Sequence, residues 1–252
     1  MKLKILLLNL GLASMLCLDC TSDTSNINDQ DSAIDNEETI PETSESPKPD
    51  PIKILSLGDS YTIGESVCET CRFPEQLKDS LKVNVEGLDA SLKLIARTGW
   101  TTSRLKTEIA QENLDNDYDL VTLLIGVNNQ FQGRPFEIFE NEFPELADIA
   151  IVSAQGEKKN LIVVSIPDYA FTPFGSGSTS ISAGIDKYND FIESYCNQNE
   201  ITYIYITDIT RLGLTQPELV ANDGLHPSTL AYSKFVERIL PKALEKLGYS
   251  TE

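Results

Sequence analysis

The 252-residue sequence predicts an α/β fold, a three-layer α/β/α sandwich around a five-stranded parallel sheet. From Ile52 onward, short β-branched runs alternate five times with longer segments of helical spacing. Two of those runs, LVTLLI at 120–125 and LIVVSI at 161–166, are apolar almost throughout, as strands covered on both faces are. Connections between parallel strands are nearly always right-handed, which places helices on both sides of the sheet.

Ile52–Leu57 is the first predicted strand, followed by a helix over Phe73–Lys82 with Pro74 in its first turn, where the missing N–H costs nothing. Ser91–Ala96 is the second strand, with a helix over 101–114. The third strand, Leu120–Ile125, leads to a helix over 136–154, and the fourth, Leu161–Ile166, to a helix over 181–197. Tyr203–Ile206 is a short fifth strand, and a last helix covers 229–247, where Pro241 is expected to bend or split it.

The chain is not uniform along its length. Residues 1–20 read as an export signal, with Lys2 and Lys4 ahead of the apolar run Ile5–Leu18, which is too short for a confident membrane span. Cys17 and Cys20 end that run and are the candidates for lipoprotein-type acylation. Leu16 and Asp19 stand before them where small residues are usual, so a plain secretory signal is the alternative. An acyl group here would hold the protein on a membrane surface without a spanning helix. The expected location is therefore the bacterial cell envelope, or otherwise a secreted or periplasmic one. Residues 21–50 carry nine acidic residues and one lysine with few apolar ones, which predicts a disordered acidic linker. Residues 51–252 supply enough chain for one well-filled domain.

That domain has 17 Lys and Arg against 29 Asp and Glu, a balance that disfavours polyanions, so no nucleic-acid partner is expected. Cys68 and Cys71 could close a small disulfide loop in an exported protein. A zinc site would need a second cysteine pair, and a redox role would need a thioredoxin-like context, so no metal is expected. Cys196 reads as a small buried apolar residue.

Open parallel sheets bind ligands at the carboxyl ends of their strands. Those ends are Gly58-Asp59-Ser60, Thr98-Gly99-Trp100, Gly126-Val127-Asn128-Asn129-Gln130 and Pro167-Asp168-Tyr169, with Asp223-Gly224-Leu225-His226-Pro227 before the last helix. His226 is the only histidine in the chain. A serine nucleophile needs a neighbouring base, and imidazole is the usual one. Asp223, three residues earlier, could hold the imidazole Nδ1–H, or the two could merely cap the final helix. The Ser60 and Gly99 N–H groups and the Asn128 amide are candidate oxyanion donors, although each alone is also an ordinary turn residue. Trp100, Asn129, Phe171 and Phe174 are candidate substrate-binding residues, and loop aromatics equally often only pack the domain.

The blocks Gly58-Asp59-Ser60, Gly99 within RTGWTT, Asn128 within GVNN, and Asp223–His226–Pro227 resemble, in order, those of the SGNH or GDSL-type hydrolase superfamily. Tyr61 stands where the name-giving leucine usually stands, and Asn129 replaces the usual aspartate. GVNNQFQGR and SIPDYAFTPFG resemble a bacterial exported, esterase- or lysophospholipase-like branch. The resemblance implies a flavodoxin-like fold and ester hydrolysis through an acyl-enzyme. Ser60, Asp223 and His226 would be the triad, and Ser60, Gly99 and Asn128 the oxyanion hole, with no cofactor. The implied substrate is an acyl lipid or an O-acetylated carbohydrate. The alternative is a surface-displayed binding lipoprotein on an inactive hydrolase scaffold. Oligomeric state is left open.

Overall fold

The structure, a computed structural model, describes residues 48–250. The export signal, Cys17, Cys20 and nearly all of the acidic linker lie outside the described residues. Five strands form one parallel sheet: β1 (Ile52–Gly58), β2 (Ala90–Ala96), β3 (Leu120–Leu124), β4 (Leu161–Val164) and β5 (Thr202–Ile204), in the order β2-β1-β3-β4-β5. The central strands are apolar because both faces are covered. Every residue of β3 and β4 is buried, and each such Leu, Ile or Val contributes about 1.5–3 kcal/mol relative to exposure. The one polar pair between neighbouring central strands is matched, with Thr122 Oγ1 donating to Ser56 Oγ at 2.8 Å.

Eight helices complete the described residues: α1 (Ser60–Ile63), α2 (Phe73–Asn84), α3 (Thr102–Gln111), α4 (Val127–Phe131), α5 (Phe136–Ser153), α6 (Thr179–Asn199), α7 (Thr207–Thr210) and α8 (Thr229–Lys246). α2 packs with α8, while α3 packs with α5, and α5 with α6. Right-handed crossovers in this strand order put those two groups on opposite faces of the sheet.

Three expectations change. β4 and β5 stop two residues short of their predicted ends. Ser165 Oγ accepts the Ile206 and Thr207 N–H groups, at 2.8 and 3.2 Å, in place of ladder carbonyls. α8 runs unbroken past Pro241, because Phe235, Ile239, Ala243 and Leu244 on either side of it are buried against the core. The short helices α4 and α7 were not predicted.

Candidate active site

The site forms at the carboxyl ends of β1, β2 and β3, where the strand order reverses direction around β1. β1 ends at Gly58, and the chain turns at once into α1. A Cβ on residue 58 would collide with Thr62 Oγ1 and Leu124 O, so glycine is what lets α1 sit so close to the strand end. Asp59 caps α1, its Oδ1 accepting the Tyr61 N–H at 3.0 Å. This leaves Ser60 as the first helical residue, 4 % exposed, with neither its Oγ nor its N–H hydrogen-bonded to another described residue.

Gly99 lies in the loop after β2 with φ +84 and open space where a Cβ would be. Two amides pin this loop by its carbonyl oxygens. Gln132 Nε2 donates to Gly99 O at 3.0 Å, and Asn128 Nδ2 donates to Trp100 O at 3.1 Å. An amide nitrogen carries two hydrogens, so Asn128 keeps one for a ligand.

The segment before α8 builds a self-contained loop. Val220 and Pro227 form an antiparallel bridge, Ala221 N–H donates to His226 O at 2.7 Å, and Ser228 N–H donates to Leu219 O at 2.9 Å. Ser228 caps α8, accepting from Ala231 N–H at 3.2 Å. Asp223 and His226 are therefore free of the capping role. Asp223 Oδ1 accepts the Leu225 and His226 N–H groups, at 2.9 and 3.0 Å. Its Oδ2 holds His226 Nδ1 at 2.6 Å and also accepts Ser66 Oγ at 2.6 Å. Burial pushes the Asp223 carboxyl up. The hydrogen bonds from Ser66, His226 and the two backbone N–H groups outweigh it and hold the carboxyl well below the usual carboxylate range. An ionised Asp223 places the imidazole proton on Nδ1 and leaves Nε2 as an acceptor.

Ser60, Gly99, Asn128 and His226 share the wall of one cavity of about 180 Å³, with Tyr61, Thr98, Val127, Phe131, Tyr169 and Leu225. Ser60 and His226 line the same space without a hydrogen bond between them. Catalytic contacts are often loose in a ligand-free site. The Tyr61 ring lies against the imidazole, with centroids 5.6 Å apart.

The candidate substrate-binding residues divide. Asn129 does not line the cavity. It is fully buried, with Oδ1 accepting Thr102 N–H at 3.0 Å and Nδ2 donating to Thr102 Oγ1 at 2.7 Å, so its amide is spent on tying α4 to α3. Trp100 is half-buried against the core and meets the site through its carbonyl. Phe171 closes a short turn, 169–171, and does not line the cavity either. Phe174 is 55 % exposed and stands at the rim, 6.0 Å from the Phe131 ring and 6.3 Å from Tyr169. Phe131 was missed, although it follows a strand end where ligands are expected, and Tyr169 was named only as part of such an end, without a binding role. Cys68 and Cys71 are disulfide-bonded. Cys196 is free and buried, its thiol pushed up to about 12 by burial.

Comparisons with known proteins bear on the family and the fold. A model of the GDSL-like lipase/acylhydrolase family matches residues 56–234. No curated protein matches the chain. Among solved structures, a lipase/acylhydrolase from Enterococcus faecalis is similar at 20% identity and TM-score 0.61, over 80% of this chain and 100% of that one. An acetylxylan esterase from Geobacillus stearothermophilus is similar at 16% identity and TM-score 0.57, over 79% and 95% of the two chains. The esterase EstA from Pseudoalteromonas sp. is similar at 17% identity and TM-score 0.56, over 78% and 98%. At these identities the structures speak to the fold.

Proposed function

The chain belongs to the GDSL-like lipase/acylhydrolase family, and from that premise we propose that it hydrolyses carboxylic esters through an acyl-enzyme on Ser60. Ser60 Oγ attacks the ester carbonyl while His226 Nε2 takes its proton. Asp223 keeps the imidazole in the tautomer that can accept that proton and stabilises the imidazolium that results. The Ser60 and Gly99 N–H groups and the spare hydrogen on Asn128 Nδ2 receive the oxyanion. His226 returns the proton to the leaving alcohol, and water cleaves the acyl-enzyme by the same route. No step requires a metal or an organic cofactor.

The reading is carried by one observation. The 2.6 Å Asp223–His226 hydrogen bond belongs to an imidazole on the wall of the cavity that also holds Ser60, Gly99 and Asn128. Fluorophosphonate labelling of the purified protein tests it. Labelling is expected in the wild type and absent in Ser60→Ala, and Ser60→Ala and His226→Ala are each expected to abolish cleavage of a short-chain aryl ester. A wild type that neither labels nor turns over would instead be a binding protein on a hydrolase scaffold.

The substrate is an acyl lipid or an O-acetylated carbohydrate. The wall offers apolar Val127, Leu225, Phe131 and Tyr169, which suit an acyl chain or the face of a sugar ring. Rates on acetyl, butyryl and longer acyl esters, set beside acetylated xylan, separate the two. The N-terminal pattern supports a lipid-anchored location at the cell envelope. Incorporation of labelled palmitate, lost on Cys20→Ser or Cys17→Ser, tests that part.

A further inference from the structure

Ser66 lies outside every block that marks the site, yet its hydroxyl donates to Asp223 Oδ2, the oxygen that also holds His226 Nδ1. We propose that Ser66 is a positioning residue for Asp223, a fourth member of the relay that fixes the acid relative to the nucleophile. The inference rests on the Ser60–His226–Asp223 reading above.

Three features carry it. Of the four hydrogen bonds to Asp223, three come from residues 225 and 226 of its own loop, and only the Ser66 bond comes from elsewhere. It is therefore the bond that ties the acid loop to the segment bearing the nucleophile. Second, Ser66 has φ 68, in the left-handed region where glycine is favoured. A serine here occupies an unfavourable backbone conformation and points its hydroxyl at the acid. Third, the turn that presents Ser66 is anchored to the nucleophile itself. Gly64 N–H and Glu65 N–H both donate to Ser60 O at 3.0 Å. The Glu65 carboxylate accepts Thr98 Oγ1 beside Gly99, and the Cys68–Cys71 disulfide follows two residues later. One short turn thus grips the nucleophile, the glycine loop and the acid.

Ser66 is exposed. A hydroxyl in water exchanges one hydrogen bond for another at little net gain in folding stability. The expected effect is therefore on the geometry of the relay, and glycine separates the two. Ser66→Gly removes the hydroxyl while relieving the backbone, so Tm should hold or rise. Turnover of a short-chain aryl ester should fall about tenfold, the usual scale for a hydrogen bond to a charged group, with KM unchanged. With one donor fewer, the Asp223 carboxylate holds the imidazolium more tightly, and the acid limb of kcat/KM moves to higher pH. Tyr61, which faces the imidazole, stays un-ionised in this range, and Asp59 titrates alike in both proteins. The difference between the two profiles thus reports Asp223. Wild-type turnover with a superimposable pH profile in Ser66→Gly would overturn the proposal while leaving the hydrolase reading intact. Failure of the wild type itself to label with fluorophosphonate would remove both.

Discussion

Asp59 and Asp223 each stand behind a residue that lines the cavity, Ser60 and His226, under opposite conditions. Asp223 is partly open to solvent and accepts four hydrogen bonds, two of them on the oxygen that faces the imidazole. Asp59 is fully buried and accepts one backbone N–H on Oδ1, while Oδ2 has no partner. Burial pushes the Asp59 carboxyl up to about 7, with the Tyr61 N–H opposing it only in part. The donors surrounding a carboxylate decide its charge here as much as its depth does. The residue beside Ser60 in sequence shapes a turn, and the one brought from the far end of the domain is held as a carboxylate against the imidazole.

The largest expected effect that tests this contrast is on Asp223→Asn. Losing the charge and the fixed tautomer should lower kcat by roughly 10³–10⁴, measured on a short-chain aryl ester. Asp59→Asn keeps the oxygen that caps α1 and should stay within about tenfold of wild type; a loss matching that of Asp223→Asn would erase the distinction. A second comparison sets the neighbouring amides apart. Asn128→Ala should cost about 10²–10³ in kcat with Tm little changed. Asn129→Ala should instead lower stability by about 1–3 kcal/mol, because Thr102 is left with unpaired buried groups, and equal kcat losses in the two would show that the division is wrong.

A third test is the pH dependence of stability. The folded Asp59 carboxyl keeps its proton up to about pH 7, whereas an ordinary one ionises near 3.8. Its contribution to stability is thus full below about pH 4 and is lost as pH rises towards 7, at a slope of at most about 1.4 kcal/mol per pH unit. Asp223, held low, contributes in the opposite sense. Its stabilisation is present above the ordinary carboxylate value and is lost only as pH falls further, so the two windows do not overlap. Urea midpoints of wild type and Asp59→Asn should diverge between pH 4 and 7, and parallel midpoints across that window would refute the assignment.

Much of the sheet was legible because its central strands are apolar runs that only two-sided burial explains. The pairing of Asp223 with His226 was legible because one histidine leaves no competitor. The short helices α4 and α7 were not, since four or five residues are too few to establish a helical period. Asn128 and Asn129 show a finer limit. Adjacent residues on a helix point about 100° apart, so which amide faces the cavity depends on where Gly126 starts the turn. Ser66 carried no signal at all, being one polar residue in an exposed loop that meets its partner only through the fold.

The loop from Val220 to Ser228 also has a bearing on when the enzyme becomes competent. It makes the Asp223–His226 hydrogen bond from local contacts, but Ser60, Gly99 and Asn128 follow strands synthesised far earlier. Synthesis delivers Ser60, Gly99 and Asn128 first, and His226 arrives after β5. Until the segment leading into α8 docks, the polypeptide carries a serine without a proton acceptor. On the proposed mechanism no ester cleavage is expected before then, and recovery of turnover during refolding would time the docking of that last segment.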